Sequence, residues 1–155
     1  QGLQSGSTEE AAAEAQRRLA ALQVLSGTTP VAGPGIRVTL TDAPGSASAV
    51  DAATVLDAVQ ELRDAGAQAI QVGPVRVAVS TWFGDSSAGV VADGTAVGTP
   101  VTITAIGDPP TMSAALSIPG GLADTVRTRG ADFALTSDPS VSISVTVPTT
   151  DDQEG

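Results

Sequence analysis

Leu62-Arg63-Asp64-Ala65-Gly66-Ala67 leads into Gln68–Val72, a Gly73-Pro74 turn and Val75-Arg76-Val77. The same order returns downstream. Val126-Arg127-Thr128-Arg129-Gly130-Ala131 leads into Asp132–Thr136, an Asp138-Pro139 turn and Val141–Val147. Each copy reads as a helix end, a glycine stop, a strand, a turn and a second strand, and a repeat of that kind speaks to fold before chemistry. A strand precedes each helix: Gly35–Asp42 alternates in polarity, and Val101–Ile106 is a β-branched run.

Working outward, Asp51 caps a helix through about Ala65 with Val55, Leu56, Val59 and Leu62 on one face. Asp108-Pro109-Pro110 is the matching entry downstream, an aspartate cap with proline at the first helical position. That second helix breaks at Pro119-Gly120-Gly121 and resumes over Leu122–Arg129. Between the halves, Trp82–Ser87 reads as irregular, and Gly89–Val97 as a hairpin turning at Asp93-Gly94. The expected fold is α+β, two βαββ-type halves forming a ferredoxin-like antiparallel or mixed sheet with its helices on one face. Right-handed crossovers would put the Val38 and Ile103 strands side by side in the centre. The opposite face then needs a cover, from the N-terminal helix or a second subunit.

Upstream, a helix is expected from about Thr8 to Ser26. Its residues Ala12, Ala15, Leu19 and Leu22 are spaced three, four and three, as in a coiled-coil seam. Two readings stay open: a helix packed on its own domain, or the lower end of a dimeric stalk. The expected organisation is therefore residues 1–29 as the N-terminal helix, 30–148 as the duplicated α+β domain, and 149–155 as a disordered acidic tail.

Composition excludes much chemistry. The 155 residues contain no Cys and no His, and all seven basic residues are Arg. Disulfides, thiolate nucleophiles and cysteine-ligated metals are ruled out, and the usual general base is missing. A net charge of −10 opposes binding to nucleic acid or to anionic lipid headgroups. No apolar run approaches the roughly 18–20 residues that span a bilayer, so any membrane attachment is expected through an upstream segment alone.

Four blocks together are similar to one family: Gly33-Pro34-Gly35-Ile36 with Val38-Thr39-Leu40 and Asp42, Glu61–Ile70, Ala105-Ile106-Gly107-Asp108, and Ile118-Pro119-Gly120-Gly121. Over roughly Pro30 to Val147 the chain resembles the bacterial domain of unknown function family 881, whose members are often labelled division initiation protein. The resemblance implies a single N-terminal membrane helix, a coiled-coil stalk and an extracytoplasmic head, with no established catalytic residues. One departure is Gly73-Pro74, where the family commonly has Asn-Gly before its arginine.

Several residues are candidates for ligand or partner contact. Asp42 and Asp108 each follow a central strand; read as parallel neighbours, those strands would bring the carboxylates to one sheet edge, as a hard cation requires. Both also sit where caps and turns use aspartate. Arg63 and Arg127 occupy equivalent last turns of their helices, placed to complement the dipole or to meet an anion. Arg76 follows the first turn. Gly120 and Gly121 could form a backbone nest for an anion, or simply break the helix. Trp82-Phe83 is the one aromatic pair, read as packing or as an exposed anchor. No catalytic set, metal site or cofactor is expected. The reading is a non-catalytic interaction or scaffold domain of a single-pass membrane protein: a homodimer meeting other envelope or division proteins and no nucleic acid. The alternative is a sensor domain holding a metabolite at a dimer interface.

Overall fold

A computed structural model describes residues 9–19, 30–42, 49–87 and 89–144; the expected helix beyond Leu19, with Leu22 of its seam, the end of the last strand at Val147 and the acidic tail 149–155 lie outside the described residues. Residues 9–19 form helix α1. The order then runs β1 (Val31–Thr41), α2 (Ala52–Asp64), β2 (Ala69–Val72), β3 (Val75–Arg76), β4 (Phe83–Ser86), β5 (Gly89–Ala92) and β6 (Thr95–Ala96). It ends with β7 (Val101–Ile106), α3 (Pro109–Leu116), α4 (Leu122–Thr128) and β8 (Asp132–Ile143).

The fold is α+β. Five strands form one antiparallel sheet in the order β3-β2-β7-β1-β8, and β4-β5-β6 form a smaller one. Without β3, the order is that of two interleaved βαβ units, each crossover helix spanning a strand of the other half. Val38 and Ile103 are direct register partners at the centre, as the two-halves reading requires. Their alternation points Ile36, Val38, Leu40, Ile103 and Ala105 toward the helices, where all are at most 1% exposed. There they meet Val55, Val59 and Leu62 of α2, Met112 and Leu116 of α3, and Val126 of α4 in one core.

The repeat is built from the same hydrogen bonds twice. Gly66 and Gly130 take φ of +90° and +91°. Gly66 N–H donates to Arg63 C=O and Ala67 N–H to Leu62 C=O; Gly130 donates to Arg127 and Ala131 to Val126. Both are Schellman closures, in which glycine supplies the left-handed residue and the last carbonyls are satisfied.

Beyond that point the halves diverge. Gly73-Pro74 does turn the chain, pairing β2 with β3. Asp138-Pro139 does not. β8 runs from Asp132 to Ile143 as one edge strand against β1, with a register shift opposite Gly33–Gly35. Proline lacks the N–H a ladder needs, so the strand bulges there instead of turning, and Asp138 Oδ1 accepts Ser140 N–H at 2.9 Å. Trp82–Ser87, read as irregular, is also corrected: Phe83–Ser86 pairs with β5 along its whole length.

The sheet's second face is largely polar, with Arg37 and Thr136 exposed, Gln71, Thr39, Thr102 and Thr104 half-buried and Arg76 buried. Register places Arg76, Gln71, Thr104, Arg37 and Thr136 in one row across all five strands, with Thr102 and Thr39 beside it. Buried apolar residues on that face are confined to one end, where Ala69, Ile106, Val141 and Ile143 pack with Val31; Ala134, opposite Thr39, is exposed. A polar threonine-rich face needs no apolar cover over its whole extent. Nor does α1 supply it: within residues 9–19 only Ala13 is even partly shielded.

Candidate functional site

Carboxylates from three parts of the chain converge on the entry to α2. Asp42, just past β1, accepts Val50 N–H at 2.9 Å. Asp85, on β4, accepts Ala52 N–H at 2.8 Å. Asp51, the N-cap, accepts Thr54 N–H at 2.9 Å and Thr54 Oγ1–H at 2.7 Å. The first turn of a helix leaves N–H groups without intrahelical partners, and aspartate at a positive dipole end satisfies them. From the far end of the other half, Arg129 reaches Thr54 Oγ1 at 2.9 Å and Asp51 Oδ2 at 3.2 Å. Burial alone would raise the Asp51 pKa, but hydrogen bonds from Thr54 and the Arg129 guanidinium outweigh it and hold the carboxyl below its ordinary value.

A folded-state pKa below the unfolded one means Asp51 contributes stability above the ordinary carboxylate range. That contribution is lost as pH falls through the lowered folded value. Asp51→Asn keeps the cap but removes the charge that Arg129 meets, so it is expected to flatten part of the acid limb of a urea-denaturation series and to cost less than about 1 kcal/mol at neutral pH. An unchanged acid limb would show that the clamp does not form.

The paired-acid site is overturned by strand direction. β1 and β7 are antiparallel, so Asp42 and Asp108 leave opposite ends of the sheet. At about 3.3 Å per residue the nine-residue offset puts them about 30 Å apart. Asp108 instead caps α3, accepting Thr111 N–H at 3.2 Å and the Thr111 hydroxyl. Among the described residues no three His, Cys, Asp or Glu side chains could hold a metal ion together.

The other candidates are engaged within the fold. Arg63 donates to Ala78 C=O at 2.8 Å. Arg127 lies over the Phe133 ring, 5.7 Å from its centroid, which makes this contact a cation–π pair. In the Pro119-Gly120-Gly121 segment, Gly120 N–H already donates to Asp124 at 2.8 Å and Gly121 N–H to Ile118 C=O. The anion in that nest is the chain's own. Arg76 is 1% exposed, and burial pushes its guanidinium below the ordinary value, so a partner meeting the surface would touch little of it. Phe83 packs against the core, while Trp82 is 54% exposed. The contacts of Asp85 and Arg129 with α2 bridge 33 and 78 residues and leave no local trace in the sequence.

Surface concavities are shallow. The groove between α2 and α3, about 400 Å³, is lined by Glu61, Asp64, Ala114, Ala115 and Ile118 among others. A second of about 230 Å³ lies by Arg63, Ile70 and Val79. The first also carries Thr111 beside the Glu61 and Asp64 carboxylates, but the Thr111 hydroxyl is already donated to Asp108.

The model of the family described as bacterial protein of unknown function (DUF881) matches residues 18–154. The chain belongs to this family. Among DUF881-related proteins, UPF0749 protein Rv1825 of Mycobacterium tuberculosis is 45% identical over 132 residues, covering 81% of this chain and 44% of its own. UPF0749 protein Rv1823 of the same organism is 32% identical over 127 residues, covering 71% and 41%. This DUF881 chain thus spans less than half the length of those relatives. A crystal structure of an uncharacterized conserved protein from Mycobacterium tuberculosis superposes with a TM-score of 0.77 at 38% identity, covering 86% of this chain and 94% of that one. Its fold matches the two-sheet α+β arrangement. The DUF881 description names no reaction. Among the described residues no helix is long and apolar enough to cross a membrane.

Proposed function

We propose that this chain is a non-catalytic interaction domain, the folded head of an envelope protein carried on a dimeric helical stalk. The observation that carries the reading is the state of α1. Ala12, Ala15 and Leu19 share one side of the helix at a/d spacing, and all three are exposed to solvent instead of packing on the domain. An apolar seam left open on an isolated helix is stabilised by a second copy of itself, because a lone helix of this length is marginal in water. Glu14 pairs with Arg17 at 2.8 Å and Arg18 at 3.4 Å across the helix surface, leaving the seam uncharged.

Chemistry supports the same reading. With His, Cys and Lys missing from the sequence, acid–base or nucleophilic work would fall to Asp, Glu, Ser, Thr and Arg. The aspartates at α2 and α3 are tied into helix caps. An extracytoplasmic, single-pass setting with division or envelope proteins as partners is the family's implied context, and belongs to this proposal. Sedimentation equilibrium of the chain with and without residues 1–26 tests it. The full chain is expected to dimerise and the shortened one to stay monomeric; a monomer in both at high concentration would overturn the stalk.

A further inference from the structure

The chain's single tryptophan is held in a way that packing alone does not require. Trp82 precedes β4, and its backbone is fixed from both sides by one residue: Asp93 N–H donates to Trp82 C=O at 2.9 Å, and Trp82 N–H donates to Asp93 Oδ1 at 3.1 Å. Asp93 and Gly94 take φ of +50° and +81°, as a tight hairpin turn demands, so the clamp is part of the β5–β6 hairpin.

The indole does not project. A Cβ on Gly84 would lie 3.0 Å from Trp82 Cζ3 and 3.6 Å from Cε3, and one on Gly94 would lie 3.9 Å from Cζ2. The six-membered ring therefore lies down across two residues that lack side chains. Trp82 is nonetheless 54% exposed, which is what one covered face and one open face produce. By strand alternation and register, this side of the small sheet also carries Ser86, Val91 and Ala96 around Gly84. Among the described residues of the small sheet, the one ionised side chain beside this face is Asp93, at its rim.

We propose that Trp82 is the stacking platform of a site for an uncharged saccharide, one pyranose ring lying on the open indole face. A projecting tryptophan is a knob that fills a partner's pocket; a tryptophan lying flat receives a flat ligand. Two flat classes are common, nucleobases and sugar rings. A chain of net charge −10 with no arginine on this surface repels a polyanionic backbone, which leaves the sugar. The pyranose C–H face matches the indole, and its hydroxyl edge meets the Asp93 carboxylate at the rim, while Ser86, at the far end of β4, donates its hydroxyl to Gly89 C=O at 2.9 Å. The site does not involve α1, so it stands or falls separately from dimerisation.

The single tryptophan makes the test direct. The full chain is titrated with a soluble chito-oligosaccharide while Trp82 emission is followed, with a basic peptide and a single-stranded oligonucleotide as parallel arms. A saturable blue shift is expected with the sugar alone. Saturation-transfer NMR then compares the parent with Trp82→Ala and with Gly84→Val, which fills the space beneath the ring; circular dichroism checks that each folds. Both variants are expected to weaken binding about tenfold or more, the scale of losing one aromatic stack. Three results would each overturn the proposal: no response to sugar up to about 20 mM, a range reaching beyond weak millimolar affinity; equal binding by folded variants; or a response to the peptide or oligonucleotide in place of the sugar.

Discussion

Leu62→Ala is expected to remove about 2–5 kcal/mol of stability, a large share of the roughly 5–15 kcal/mol a domain of this size holds. Leu62 is 0% exposed and sits in the main core with Val59, Met112 and Leu116. It also occupies the C3 position of the α2 closure, where its carbonyl receives Ala67 N–H at 2.9 Å. The substitution opens a cavity where α2 packs on the sheet, while leaving the backbone closure able to form. Val126 holds the equivalent place in α4 and is also fully buried. Val126→Ala deletes less volume, so it is expected to cost less. Urea denaturation of both variants reads the order directly, and a reversed order would show that the two halves do not bear on one shared core.

Gly73→Ala is the second large effect, expected at about 2–5 kcal/mol, and Gly66→Ala is its control. Both glycines hold positive φ, +55° and +90°, and for L-residues that conformation costs about 1–2 kcal/mol. They differ in surroundings. A Cβ at Gly66 would meet nothing within 4 Å, whereas at Gly73 it would lie 2.3 Å from Val97 C=O. That carbonyl belongs to the segment leaving the small sheet, so relief requires moving backbone, at an overpacking cost of about 1–3 kcal/mol. The difference between the two variants measures how tightly the inserted sheet is seated against the β2–β3 turn. Equal losses would mean that the insertion yields freely.

What could be read from residues alone was whatever local chemistry determines. The closures at Gly66 and Gly130, the Asp51 and Asp108 caps and the Asp93-Gly94 turn each depend on a few neighbouring residues, and each formed as expected. The central pairing of Val38 with Ile103 followed from crossover handedness. Errors arose where a distant partner decides. Asp138-Pro139 has the composition of a turn, and only an eleven-residue β1 alongside it keeps both flanks in one strand. Phe83–Ser86 has poor strand propensity, with Gly84 and Asp85 inside it, and becomes a strand because β5 pairs with it. Strand direction, misjudged as parallel, separated the two acids proposed to meet. The exposure of Trp82 depended on Gly84 and Gly94, whose spacing from it carries no motif.

The central claim, a head on a parallel two-stranded helix, is tested most directly by cysteine cross-linking, since the chain has no cysteine of its own. In a parallel in-register pair a seam position faces its own copy, close enough for a disulfide, whose Cα atoms stand about 4.4–6.8 Å apart. Under mild oxidation, Ala15→Cys is expected to yield a covalent dimer efficiently and Ala13→Cys, off the seam, poorly. Equal cross-linking at both positions, or none at residue 15, would contradict the account.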